Sequence, residues 1–188
     1  VRVCMKRFPG FCRSRPAPPP MGAGKSVAGG GTLGKKGASD LAGGTVPAEP
    51  WNGPRMPCIF INHGGGPMPL LGQQPDIAKF LSSYASTLPQ QPAAVLVVTA
   101  HWEMPVATVS THPQPPLLFD YGGFPPESYR FKYPAPGSPE VAFGVKELLK
   151  LAGVPVAEDA HRGWDHGVFV PMMLMYPKAD VPICMLSL

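Results

Sequence analysis

The spacing of apolar positions changes at residue 56. From there Cys58-Ile59-Phe60-Ile61 is a short apolar run that stops at Asn62-His63-Gly64-Gly65-Gly66-Pro67. Ile77, Phe80, Leu81, Tyr84 and Leu88 then recur at i, i+3, i+4, i+7 and i+11, the stripe of an amphipathic helix. Ala94-Val95-Leu96-Val97-Val98-Thr99-Ala100 runs into His101-Trp102-Glu103. A continuous, β-branched run of this kind predicts a strand buried on both faces, as in a parallel sheet. Residues 106–110 predict another strand. Ser138-Pro139-Glu140 supplies an N-cap, a proline at the first helical position and an early acid. Val141, Val145, Leu148, Leu149 and Ala152 line one face of the helix that follows, and Gly153 ends it. Residues 154–157 and 183–188 predict two more strands. Strands alternating with helices imply an α/β fold with a mostly parallel central sheet flanked by helices. The last apolar run breaks off at Leu188 with no turn or polar tail, so the sheet is expected to be incomplete at the C-terminus and the domain truncated.

Residues 1–55 have a different texture, with RSRPAPPP followed by GAGKSVAGGGTLGKKGASDLAGG. They contain much of the glycine and proline, which number 22 and 27 among 188 residues. With no period of 3.6 or 2 and little apolar surface to offset chain entropy, this segment reads as a disordered basic leader. The same reading covers upstream sequence that is not translated. The alternative is an organelle transit peptide, since the segment is basic and poor in acid, though its serine content is low and it starts with Val rather than Met. Gly22 to Ser26 only partly matches a phosphate-binding loop, because Pro19 stands where the pattern needs glycine. The charge divides at the same boundary. Residues 1–55 hold nine Lys and Arg against two Asp and Glu, whereas residues 56–188 hold seven against ten. The net +4 therefore belongs to the leader, and the core lacks the basic cluster that a nucleic-acid partner requires. No apolar run approaches the ~20 residues that span a bilayer, so no integral membrane protein is expected. Cys4, Cys12, Cys58 and Cys184 form no CxxC pair, which points to a reducing, cytoplasmic setting rather than a disulfide or zinc scaffold.

Candidate chemistry centres on histidine. His63 and His101 each follow a predicted buried strand, and ligands of open α/β sheets bind beyond the strand carboxyl ends. One such histidine could merely satisfy a strand-end carbonyl. Two at equivalent strand ends, with a triple glycine beside one, point to a metal or catalytic role. Imidazole suits Fe, Zn, Cu and Ni, and two imidazoles plus a carboxylate with open positions is the arrangement of non-haem Fe(II) oxygenases. Glu103 is the nearby acid, read here as a surface carboxylate or one that holds a histidine ring. The residues alone therefore give two ligands without an obvious third. In Trp164-Asp165-His166-Gly167, His166 is either a general acid/base near the crevice or a turn histidine bonded to Asp165. His112 and His161 read as surface residues. No GxSxG elbow or Cys–His nucleophile pattern is present, and Cys58 and Cys184 fall in strands, where thiols are usually inert.

His63-Gly-Gly-Gly-Pro, VLVVTAHWE, DYGGFPPESYRFKYPAPGSPE and GWDHGVFVPMMLMYPKADVPICMLSL together resemble the 4,5-DOPA dioxygenase extradiol family. These are class III, protocatechuate 4,5-dioxygenase beta-subunit-like enzymes, and the resemblance covers about residues 57–188. It implies an α/β fold, a small-molecule catechol substrate and O2-dependent opening of the ring beside its two hydroxyls. By position, His63 and His101 match metal ligands of the family, and His166 matches its acid/base or substrate-contacting histidine. Fe(II) is implied for activity, with Zn(II) as a possible occupant of the same histidines. Two departures stand out. The family often reads His-Gly-Ser-Pro where this chain has His-Gly-Gly-Gly-Pro. It also continues past residue 188 to a further active-site histidine and a further ligand histidine. The competing readings are a zinc-dependent hydrolase using the same histidines and an inactive truncated remnant.

Overall fold

A computed structural model describes the backbone of Arg2–Lys6 and residues 56–188. The rest of the leader, and with it the expectation of disorder there, lies outside the described residues. The strands are β1 (Arg2–Lys6), β2 (Cys58–Phe60), β3 (Ala94–Val98), β4 (Ala107–Ser110), β5 (Val156–Asp159) and β6 (Ile183–Leu186). The helices are α1 (Pro75–Tyr84), α2 (Pro139–Leu151) and α3 (His166–Met175). All six strands join one sheet in the order β2-β1-β3-β6-β4-β5.

The α/β class stands, with helices on both faces, but the sheet is mixed rather than mostly parallel. β3 pairs with β6 and β4 with β5 in parallel, while β1–β2, β1–β3 and β4–β6 are antiparallel. Connection length explains the difference. Residues 99–106 link β3 to β4, too few for the crossover of a dozen or more residues that parallel strands need. The chain turns back instead, and β6 later fills the slot between them. The helical connection through α2 does return β5 parallel to β4. The start of the leader also departs from expectation, since Arg2–Lys6 forms β1 between β2 and β3. Backbone pairing satisfies the N–H and C=O groups of both neighbours without needing an apolar pattern.

Alternation along the central strands divides the core into two layers. Val95, Val97, Ile183 and Met185 face a larger cluster with Leu81 of α1 and Val168, Phe169 and Met172 of α3. Ala94, Leu96, Cys184 and Leu186 face a smaller one with Val141, Ala142 and Val145 of α2. β2 is not the buried strand expected from its composition: it lies at the sheet edge, and Phe60 is 84% exposed. Cys58 is likewise exposed, whereas Cys184 is buried and its thiol is pushed up to about 12 by burial.

Local signals set the helix ends. Ser138 Oγ accepts from Val141 N at 3.4 Å, and Pro139 occupies the first turn of α2. α1 stops at Tyr84 and tightens into a 3₁₀ turn over Ala85–Thr87. Its stripe holds for Leu81, which is buried, but Phe80 is half exposed. α3 is apolar all round and buried along most of its length, as a helix in the interior must be. Tyr133 anchors its far end, with the hydroxyl 3.1 and 3.0 Å from the carbonyl oxygens of Met172 and Tyr176. Among the described residues, no helix is long and apolar enough to cross a membrane.

Candidate metal centre

Strand register brings the first two histidines together. Phe60 of β2 and Val98 of β3 both stand opposite Arg2 of β1. Because β1 is antiparallel to each, β2 and β3 point the same way. His63 and His101 follow Phe60 and Val98 at the same offset along the chain, so both emerge beyond one edge of the sheet. The two strands are not neighbours, yet the Nε2 atoms of His63 and His101 lie 3.0 Å apart. The loop that carries His63 depends on Gly64, whose φ of +83° is a left-handed value suited to glycine. A Cβ there would stand 2.2 Å from Gln74 Oε1. The N–H groups of Gly64 and Gly65 donate to Asn62 Oδ1 and Gln74 Oε1 at 2.9 and 3.0 Å, which holds the turn.

His166 arrives from another direction. Trp164 N donates to Pro116 O at 2.8 Å and Leu118 N to Trp164 O at 2.7 Å, pairing the two segments. That pairing places Asp120 at the first turn of α3. Asp120 Oδ1 accepts from the backbone N–H of His166 at 2.9 Å and lies 2.8 Å from its Nδ1. A carboxylate only accepts, so Nδ1 carries the proton and the neutral ring keeps its lone pair on Nε2. The His166 ring centroid is 5.1 Å from that of His63 and 4.1 Å from that of His101. One ligand nitrogen from each of the three lies within 4.8 Å of the others.

The electrostatics favour neutral imidazoles here. Burial lowers the pKa of His63 to about 4, with the positive charges of His166 and His101 adding to the shift. Burial, and then the charge of His166, lowers His101 as well. Burial alone would raise Asp120, but the hydrogen bonds from the ring and backbone of His166 outweigh it and hold the carboxyl below its usual range. Unprotonated nitrogens are what a metal ion requires. The Asp120 carboxylate backs His166, while the buried Nδ1 of His63 has no hydrogen-bond partner among the described residues. Nitrogens 2.0–2.1 Å from one ion stand about 2.8–3.4 Å apart in four- to six-coordinate geometry, so the His63–His101 pair fits.

All three histidines singled out from the sequence converge. Glu103 is exposed, and among the described residues it is not part of this group. His161 is exposed, and His112 is half-buried, its Nδ1 accepting from Gln114 N at 2.9 Å. The partner of His166 is Asp120 rather than Asp165, and nothing in the local sequence marks it except an acid before Tyr-Gly-Gly. An aromatic wall flanks the histidines. Tyr121 lies 5.8 Å from His166 between ring centroids and packs against Phe119, Phe124, Tyr129 and Phe169.

The family described as the catalytic LigB subunit of aromatic ring-opening dioxygenase matches residues 56–188. The chain belongs to this LigB family. Among its relatives, dioxygenase tasH of Hapsidospora irregularis is 43% identical over 141 residues, covering 70% of this chain and 43% of that protein. The 4,5-DOPA dioxygenase extradiol of Beta vulgaris is 44% identical over 131 residues, covering 69% of this chain and 48% of its own length. A crystal structure of an uncharacterized protein from Escherichia coli K12 aligns at 35% identity and a TM-score of 0.47, over 60% of this chain and 40% of that one. The LigB-family chain thus spans about half the length of the curated relatives it matches. His63, His101 and His166 are a group that could hold a metal ion.

Proposed function

We propose that residues 56–188 carry part of the catalytic site of an extradiol dioxygenase. In this reading Fe(II) is held by His63 and His101, and a catechol-type substrate such as DOPA is opened with both atoms of O2 entering the product. The observation that carries it is the convergence of three histidine nitrogens within 4.8 Å in a LigB-family chain. Fe(II) held by these histidines would supply the redox chemistry that lets a catechol react with O2. Zn(II) fits the same nitrogens but has no redox chemistry, so the zinc form is an inactive occupant.

The protein's own groups do the rest. His166 takes a proton from a catechol hydroxyl at Nε2 and returns it later, while Asp120 fixes Nδ1–H and stabilises the charged ring. Tyr121, tied through its hydroxyl to Ser128 O at 2.7 Å, presents an apolar ring beside His166 against which an aromatic substrate stacks.

The test is oxygen uptake by the full-length, Fe(II)-loaded protein with DOPA or a simpler catechol. One O2 is expected per ring opened, with a yellow product. Bound Fe(II) without oxygen uptake overturns the reading, and turnover with zinc in the absence of O2 points to a hydrolase instead. The closeness of its nitrogen to the pair also allows His166 to be a third ligand. His166→Gln separates the roles: a proton carrier loses turnover and keeps its metal, whereas a ligand loses both.

A further inference from the structure

Asp165 occupies the N-cap position of α3, yet its side chain makes no cap hydrogen bond. The first N–H of the helix is satisfied from outside by Asp120. The Asp165 carboxylate is fully buried, where an uncompensated charge is costly. Its oxygens are engaged elsewhere. Oδ1 accepts from the Thr99 hydroxyl at 2.9 Å, and Oδ2 lies 3.2 Å from Arg162 Nη2.

Both partners lead to one residue. Thr99 Oγ1, donating to Asp165, accepts the backbone N–H of His101 at 3.2 Å. Arg162 Nη2 has two N–H groups; one meets Asp165 and the other donates to the His101 carbonyl at 3.1 Å. The guanidinium also stacks over Trp102, 5.3 Å from ring centroid to Cζ. The backbone N–H and C=O of His101 are thus both tied back to the same carboxylate. The ring rests on Gly167, where a Cβ would stand 2.6 Å from His101 Cδ2. His101 is exposed, so its place depends on these backbone ties as well as on the neighbouring His63 and His166 rings.

We propose that Asp165 is a positioning residue for His101, acting through Thr99 and Arg162 to set where that imidazole meets a bound metal ion. This rests on His101 being a metal ligand, as proposed above. The clamp also gives the Asp-His-Gly run a division of labour. Asp165 holds one ligand histidine, His166 faces the substrate, and Gly167 leaves room for the ring.

Co(II) is the probe, read by its visible absorption bands and by competition with a chelator. Thr99→Val removes the hydroxyl link at nearly constant shape, and Thr99→Ser restores it. Asp165→Asn removes the charge, and His101→Ala reports whether the ligand assignment holds. Val145→Ala, in the α2 layer on the other face of the sheet, is a control for general loss of stability. Thr99→Val and Asp165→Asn are expected to weaken Co(II) binding about tenfold or more and to shift the bands. Thr99→Ser and Val145→Ala are expected to stay within twofold of the parent. If Asp165→Asn does not fold, the Thr99 pair decides. Parent-like affinity and bands in Thr99→Val overturn the clamp, as does an equal loss in Val145→Ala. Unchanged affinity in His101→Ala overturns the ligand assignment instead, so the two failures are told apart.

Discussion

His63 and His101 resist protonation because burial and the positive charge of His166 act in the same direction. Two ordinary imidazoles would lose about a hundredfold in metal affinity between pH 7.5 and 5.5, roughly tenfold each, as protons displace the ion. With His63 titrating near 4, the loss here is expected to stay below tenfold, measured by chelator competition at the two pH values. Stability follows the same shift. The unfolded chain takes up protons near pH 6.5 while the folded chain refuses them down to about 4, so folding is favoured above that window and weakens as pH falls through it. The urea midpoint of the metal-free protein should therefore drop from pH 7 to pH 5. At this scale the histidines were legible, because a histidine after a strand end is visible in a sequence. Asp120 was not, since its partner is 46 residues away and only the Leu117–Trp164 pairing joins them.

Elements were legible where local chemistry fixes their ends. Ser138 and Pro139 start α2, and Gly153, at φ +71°, follows its end as anticipated. Ser138→Ala should cost about 1 kcal/mol in chemical denaturation, the usual value of an N-cap. An unchanged midpoint would mean that Oγ, at 3.4 Å, contributes no cap. β2 shows where the reading stops. Cys-Ile-Phe is apolar enough for an interior strand but too short to declare a face, and edge or centre is decided by which strands pair on either side. β5 begins at Val156 rather than at 154 because its register with β4 aligns Ala107 with Val156.

At the scale of the whole molecule, class and helix placement could be read from the sequence, but strand order could not. β6 inserts between β3 and β4, and β1 between β2 and β3, so the strands in contact are distant in sequence. Such pairings follow from connection lengths and unfilled sheet edges rather than from periodicity. The candidate centre gathers side chains from after β2, from after β3 and from α3, which only the assembled fold brings together. Metal should therefore stabilise the entire structure. At a free concentration one hundred times the dissociation constant, about 2.7 kcal/mol of added unfolding free energy is expected. Urea denaturation with and without Fe(II) under anaerobic conditions measures it, and a chelator should reverse it. An unchanged midpoint would show that the histidines hold no ion in the folded state.

The wide spacing of the clamp also bears on how the protein matures. His63 and His101 are 38 residues apart, and Thr99 and Asp165 are 66 apart. No short stretch of nascent chain brings His63, His101 and His166 together, and closing loops of that length precedes any reward from the contacts they make. During synthesis His63 and His101 leave the ribosome well before the Asp-His-Gly run that carries His166, and β6 follows later still. Metal capture is thus expected to be a late event, after the sheet has closed, with the ion delivered to a folded pocket rather than serving as the template on which the pocket forms.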